Sequence, residues 1–154
     1  MIKPIRLFID PVLHRPTELI TNFTDPSLQE LAQDMIETMH CNRGIGLAAP
    51  QIGVNKNICV MNLENKSKLM ILANLKILRY SKDDRDTQVE GCLSSPGISV
   101  KVKRYKVVEV EGNLLSGEKV QFRFDGFDAR IVQHEIDHCF SKLIVDNIQN
   151  IVRK

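Results

Sequence analysis

Two histidines stand four residues apart in Gln133-His134-Glu135-Ile136-Asp137-His138, with a glutamate directly after the first. The approach to them is helical. Asp125-Gly126 opens the segment, and Phe127, Arg130, Ile131, His134 and His138 recur at helical spacing. On a helix, side chains at i and i+4 share a face about 5–6 Å apart, so two imidazoles can meet on one ion at about 2.0–2.1 Å. Glu135 lies about 100° further round the helix. It would stand beside such an ion and not on it, in the position of a general base. A helix with two unrelated histidines would carry the same letters, so a metal reading requires a third ligand elsewhere.

A catalytic metal takes three protein ligands and keeps one position open. The third could be a cysteine or a downstream carboxylate. Only Asp146 is acidic among the 16 residues after His138, and no further histidine follows. Of the four cysteines, Cys59 sits in an apolar run and reads as core, and Cys41 lies with His40 at a helix end. Cys139 points about 100° away from His138. Cys92, in Glu90-Gly91-Cys92-Leu93-Ser94, is better placed, because a glycine-flanked turn lets a thiol approach an ion closely. The spacing favours a site of two histidines and a cysteine. None of the cysteines has CxxC spacing, and thiols are expected in place of a disulfide framework.

These residues need elements to hold them. The chain of 154 residues is long enough for one domain with a real core, and 43% hydrophobic with 26% charged residues is ordinary for a globular protein. A net charge of +2 without a basic run interleaved with aromatics argues against nucleic-acid binding. No apolar signal core opens the chain and no stretch of about 18 apolar residues could span a membrane. A soluble intracellular protein is expected.

Residues 5–9 are apolar and end at Asp10-Pro11, and the proline-punctuated stretch to Asn22 is expected over the surface. Thr24-Asp25-Pro26 starts a helix whose Leu28, Leu31, Met35 and Met39 face a core. Residues 44–53, Gly44-Ile45-Gly46-Leu47-Ala48-Ala49-Pro50-Gln51-Ile52-Gly53, read as a loop of unusual backbone. The Gln51 amide there can donate to a developing oxyanion. Strands are expected over 57–62, 69–74, 75–80, around Val100 and Val102, and over 105–111, 120–124 and 143–145, with a solvated charged loop at 81–87. The fold class is α+β in a single domain, 1–154: antiparallel strands packed around a central helix that carries the His-Glu-x-x-His motif, with an N-terminal helix.

Gly44-Ile45-Gly46-Leu47-Ala48-Ala49-Pro50-Gln51, Glu90-Gly91-Cys92-Leu93-Ser94 and Gln133-His134-Glu135-Ile136-Asp137-His138 together resemble the three signature motifs of the peptide deformylase family, in order and at similar separations. The resemblance covers nearly the whole chain. It implies a cytoplasmic enzyme, bacterial or encoded by a phage of a bacterial host, that hydrolyses the formyl group from N-terminal formylmethionine of nascent peptides. One divalent metal ion is implied, ferrous iron in the cell, with zinc or nickel able to replace it in isolated protein. By the same resemblance Cys92, His134 and His138 are the ligands, Glu135 moves the proton, and the Gln51 amide and the Leu93 N–H serve the oxyanion. Ile45, Gly46, Glu90, Gly91, Phe127 and Ile131 are implied to meet the substrate, the first two along its extended backbone and Ile45, Phe127 and Ile131 around its methionine side chain.

Asp137 is expected to brace the motif helix through Arg104, or to be merely exposed. Glu90 could bond loop backbone or lie on the surface, and Gln133 could orient a group behind the ligands. The chain departs from the family pattern at Leu75, where proline usually follows the asparagine, at Ser99, where some members carry arginine, and at Ser141 and Ile144. It also ends at Lys154, whereas many bacterial members continue into a helix that docks on the ribosome, so ribosome association is possible but is put in doubt. Two rivals remain: a His-Glu-x-x-His endopeptidase, which would need its third ligand downstream, and a non-catalytic binder of formyl-peptides.

Overall fold

A computed structural model of the chain describes residues 1–65, 68–146 and 151–152. Its elements are two α-helices, α1 at Pro26–Cys41 and α2 at Gly126–Cys139, and eight strands among the described residues. These are β1 Gly46–Ala48, β2 Ile58–Leu63, β3 Lys68–Tyr80, β4 Arg85–Glu90, β5 Ser99–Tyr105, β6 Val107–Asn113, β7 Lys119–Asp125 and β8 Ile151–Val152. One sheet runs β1-β2-β3-β6-β7 and a smaller one β4-β5-β8, and every strand pair in both is antiparallel. The fold is α+β with antiparallel sheets and two helices.

Strand β2 explains how the helices are placed. Ile58 and Val60 pack with Leu28, Met35 and Met39 of α1. Cys59, Met61 and Leu63, pointing the other way, pack with Ala129, Ile131, Val132 and Ile136 of α2. A strand covered on both faces reads in sequence as one apolar run, which is what residues 58–61 are within the expected strand 57–62. Each large side chain buried there contributes about 1.5–3 kcal/mol, so α2 is held against the sheet by several independent anchors.

The helix ends follow local chemistry. Asp25 caps α1 by accepting the Ser27 N–H at 2.9 Å, with Pro26 in the first turn. Beyond the Asn42 cap, Arg43 takes a left-handed φ of 55°, its N–H donates to His40 O at 3.0 Å, and the Gly44 N–H donates to Met39 O at 2.9 Å. Helix α2 closes in the same way, with Ser141 at φ 61° and the Lys142 N–H on Asp137 O at 2.8 Å. Both are Schellman endings with a side chain where glycine is usual.

Four expectations are corrected. Residues 44–53 are not all loop: they hold β1 and a 3-10 turn at Ala49–Ile52, because Gln51 folds its side chain back onto the Ala48 N–H. The charged segment 81–87 is loop only to Asp84, and from Arg85 it forms β4 on the edge of the small sheet. Residues 143–145 are not a strand, since Ile144–Asp146 is a 3-10 turn closed by Asp146 accepting the Leu143 N–H at 2.8 Å. The stretch before Asn22 is not wholly superficial. Leu13 is fully buried, and the Arg6 and Phe8 N–H groups donate to Gln51 O and Ser94 O, two residues of the site. The tail expected over 146–154 falls largely outside the described residues, though Ile151–Val152 pairs with β5.

Candidate metal centre

Three segments build the centre: α2, β1 with its 3-10 turn, and the turn that follows β4. Helix α2 is fixed near its start and at its middle. Near its start, the buried Asp128 carboxylate accepts the Glu64 and Asn65 N–H groups at 2.7 and 3.0 Å, tying it to the end of β2. One turn on, Gln133 accepts the Tyr105 N–H at 3.0 Å and donates to Tyr105 O at 2.8 Å, tying it to the end of β5. Gln133 thus anchors helix to strand and does not reach the ligands directly. Just beyond the second tie His134 and His138 face the same side, their rings 5.1 Å apart and edge-on at 70°.

Cys92 meets them from the turn after β4. Its Sγ lies 3.4 Å from His138 Nε2, and one ligand atom from each of Cys92, His134 and His138 falls within 4.8 Å of the others. Tetrahedral donors at about 2.0–2.3 Å from a common ion stand about 3.3–3.8 Å apart. The donor set therefore fits one divalent ion. Asp146, the alternative ligand, is engaged by Leu143, and Cys59 and Cys139 pack against each other in the core, Sγ to Sγ 3.5 Å.

Glu90 is neither loop-bonding nor superficial. It is buried in an ion-pair cluster, with Arg104 donating to Oε2 and Oε1 at 2.9 and 2.8 Å and Arg130 donating to Oε2 at 2.5 Å. Arg104 also pairs with Asp137, as the sequence suggested. Glu90 Oε1 lies 3.0 Å from His134 Nδ1, which leaves Nε2 to face the centre. Burial opposes its ionisation, but the hydrogen bonds from Arg104 and His134 hold the Glu90 carboxyl well below the usual range. His134 is disfavoured as a cation by burial, yet its hydrogen bonds to Cys92 and Glu90 raise its pKa well above the ordinary value. A bound divalent ion needs this imidazole neutral, so metal affinity is expected to rise with pH. His138 is held neutral by burial and by the charges of His134 and Arg104.

Glu135 stands beside the three ligands, almost fully buried, and its Oε2 has no protein partner. Burial pushes its carboxyl up to about 7, with His134 and Arg104 opposing and Glu90 and Asp137 adding to the rise. The Gln51 amide is oriented by its Oε1, which accepts the Ala48 N–H at 2.9 Å, so Nε2 points at Cys92 Sγ (3.5 Å) and Ser94 Oγ (3.2 Å). The Leu93 N–H meets no acceptor among the described residues. A cavity of about 490 Å³ opens over this group, and all the residues named from sequence for substrate line it: Ile45, Gly46, Glu90, Gly91, Phe127 and Ile131. Phe127 and Ile45 are exposed at its mouth. Gly91 would admit a Cβ freely, whereas a Cβ on Gly46 would stand 2.5 Å from Glu135 Oε1 and 3.0 Å from its Cδ. Gly46→Ala is therefore expected to displace the Glu135 carboxylate and lower kcat by on the order of 10²-fold, with metal content unchanged; steady-state kinetics beside metal analysis checks it.

The sequence reading missed Ser94 and the Arg130 side of the ion-pair cluster. Arg130 was visible only as one member of the helical stripe with Ile131 and His134, and an arginine on a stripe that enters the protein is the one signal available.

A helix presenting two histidines and a carboxylate, completed by a cysteine from a turn, defines a candidate metallohydrolase centre. Comparison with known proteins narrows that class. The polypeptide deformylase family model matches residues 2–154, so the chain belongs to that family. It is 40% identical to the peptide deformylase of Dictyoglomus thermophilum over 95% of this chain and 92% of the relative, and 41% identical to that of Acidobacterium capsulatum over 99% and 90%. Among solved structures, peptide deformylase from Thermotoga maritima superposes with a TM-score of 0.89 at 37% identity, covering 95% of this chain and 97% of that one. An inhibitor complex from Synechococcus elongatus, with actinonin, gives 0.88 at 36% identity over 100% and 82%.

Proposed function

We propose that the chain, acting as a single catalytic domain over 1–154, hydrolyses the N-formyl group from N-terminal formylmethionine of nascent polypeptides in the cytoplasm, releasing formate. The observation that carries this reading is the convergence of Cys92, His134 and His138 within 4.8 Å beside the unpartnered Glu135 carboxylate. Family membership supports the substrate. Cys92 Sγ, His134 Nε2 and His138 Nε2 would hold one divalent metal ion, ferrous in the cell, with zinc or nickel able to replace it. When bound, the metal supplies a Lewis acid that acidifies water and polarises the formyl carbonyl.

The chain's own groups do the rest. Glu135 takes a proton from the attacking water and returns it to the leaving amine nitrogen, so one carboxylate serves as base and then acid. A carboxyl pushed up to about 7 is suited to both roles near neutral pH. The Gln51 Nε2–H and the Leu93 N–H donate to the oxygen that becomes negative as the formyl carbon turns tetrahedral. Glu90, charged and clamped by Arg104 and Arg130, orients the His134 ring and does not contact substrate in this reading, which revises its role as a substrate contact. The free edge of β1 at Gly46, with Ile45 just before it, binds the peptide backbone as an added strand. Ile45, Phe127 and Ile131 take the methionine side chain, and Gly91 walls the backbone path.

A formyl carbon bears only hydrogen, and the Gly46–Glu135 approach leaves little room beside the reacting carbon. Formyl-Met-Ala-Ser is expected to be cleaved at least about 10²-fold faster than acetyl-Met-Ala-Ser, the discrimination that one extra methyl group in a tight site gives. Comparable rates for the two peptides would overturn the assignment to formyl groups.

A further inference from the structure

Arg43 is a cation on the rim of the reaction cavity with no ion-pair or hydrogen-bond partner for its guanidinium among the described residues. The other cavity-lining arginine, Arg130, is buried and consumed by Glu90, Val102 O and Asp86 O. Arg43 occupies the left-handed position of the α1 ending, with its backbone fixed by the bonds to His40 O and Met39 O. That position ordinarily favours glycine, which would present no side chain at all. Here it aims a long charged side chain from a rigid turn at the mouth of the cavity.

The path from chemistry to rim runs along the chain itself. Gly46 lies against Glu135, Gly44 against Leu93, and Arg43 is exposed. Strand β1 is the edge of its sheet, paired with β2 on one side only. A peptide with its formyl end at Glu135, extended along that free edge, passes Gly44 and then Arg43. Arg43 lies three residues before β1, in the turn that closes α1, so Gly46 and Arg43 are no more than about 10 Å apart, a distance that two or three residues of an extended peptide cover at about 3.3 Å each.

We propose that Arg43 is a specificity-determining residue that favours peptides with a carboxylate side chain at the second or third position over those with a lysine there. The inference rests on the deformylase reading of the site. Exposed charge pairs are weak and screened by salt, so the preference is modest and fades as ionic strength rises.

The test uses metal-loaded protein and C-terminally amidated formyl-Met peptides carrying Asp, Ala or Lys at the second or the third residue. Wild type is expected to show a ratio of kcat/KM, Asp over Lys, of roughly fivefold at one of these positions at low salt, falling toward unity in high salt. Arg43→Lys should keep the sign of the preference, Arg43→Ala should abolish it and Arg43→Glu should invert it. Arg43→Gly should likewise abolish it while raising Tm by about 2–4 °C, since glycine relieves the left-handed turn, and this separates the charge from the fold. A ratio that is unity in wild type, or that is unchanged in Arg43→Glu, overturns the proposal. The alanine peptide keeps the two claims apart: if it too releases no formate, the deformylase reading fails, and if it is cleaved while charge has no effect, only the role of Arg43 fails.

Discussion

Replacing Glu135 with alanine is expected to lower kcat on formyl-Met-Ala-Ser by about 10⁴-fold while the protein keeps a full equivalent of metal. The size follows from its double duty. A single general acid or base contributes about 10²–10⁴-fold, and here one carboxylate both takes and returns the proton, so the upper end applies. Metal retention follows from geometry, because Glu135 is not among the atoms that converge on the ion position. Folding should also survive, since Glu135 Oε2 is buried without a partner and its removal leaves no protein donor unsatisfied. Stopped formate release with unchanged metal and Tm is the expected pattern, and retained turnover would refute the role of Glu135.

The second large effect is on metal. Cys92→Ser is expected to reduce bound metal after desalting to below about a tenth of an equivalent, because a neutral hydroxyl is a far poorer ligand for these ions than a thiolate. Activity should fall in proportion. Elemental analysis reads the outcome directly. Full metal retention would point to a third ligand elsewhere, as in an endopeptidase. The geometry gives that rival little ground, since Asp146 already accepts the Leu143 N–H and, among the described residues, the donor group around the histidines is completed by Cys92 and not by a carboxylate.

How far the sequence revealed this structure depends on whether the signal was local. Helix α1 was legible because its cap, its proline and its apolar stripe lie within sixteen residues of one another. The placement of β2 was legible because burial on both faces leaves a continuous apolar run. Strand β4 was hidden. It lies at a sheet edge, most of its residues are exposed, and Arg85 and Asp86 extend a charged run that reads as solvated loop. The three apolar residues 143–145 are too few to separate a strand from a 3-10 turn, and only the Asp146 side chain decides between them.

The site divides in the same way. His134 and His138 announce each other by spacing, and Cys92 announces itself by its glycine-flanked turn. What holds them does not. Glu90 meets Arg104 and Arg130 across 14 and 40 residues of chain, and Asp128 meets Glu64 and Asn65 across 64 and 63. Such pairs carry no periodicity, so nothing in a single sequence names the partner. The closeness of Gly46 to Glu135 is a further case: the sequence shows a permissive residue, and only the fold shows what fills the space its missing Cβ leaves.

The central claim is that Cys92, His134 and His138 hold the metal that a formyl-specific hydrolase needs. The most direct measurement is formate released from formyl-Met-Ala-Ser by wild-type protein loaded anaerobically with increasing ferrous iron. The account predicts that the rate rises in proportion to bound metal, levels off at one equivalent per chain and is abolished by a chelator. A full equivalent of bound metal with no formate released would contradict it.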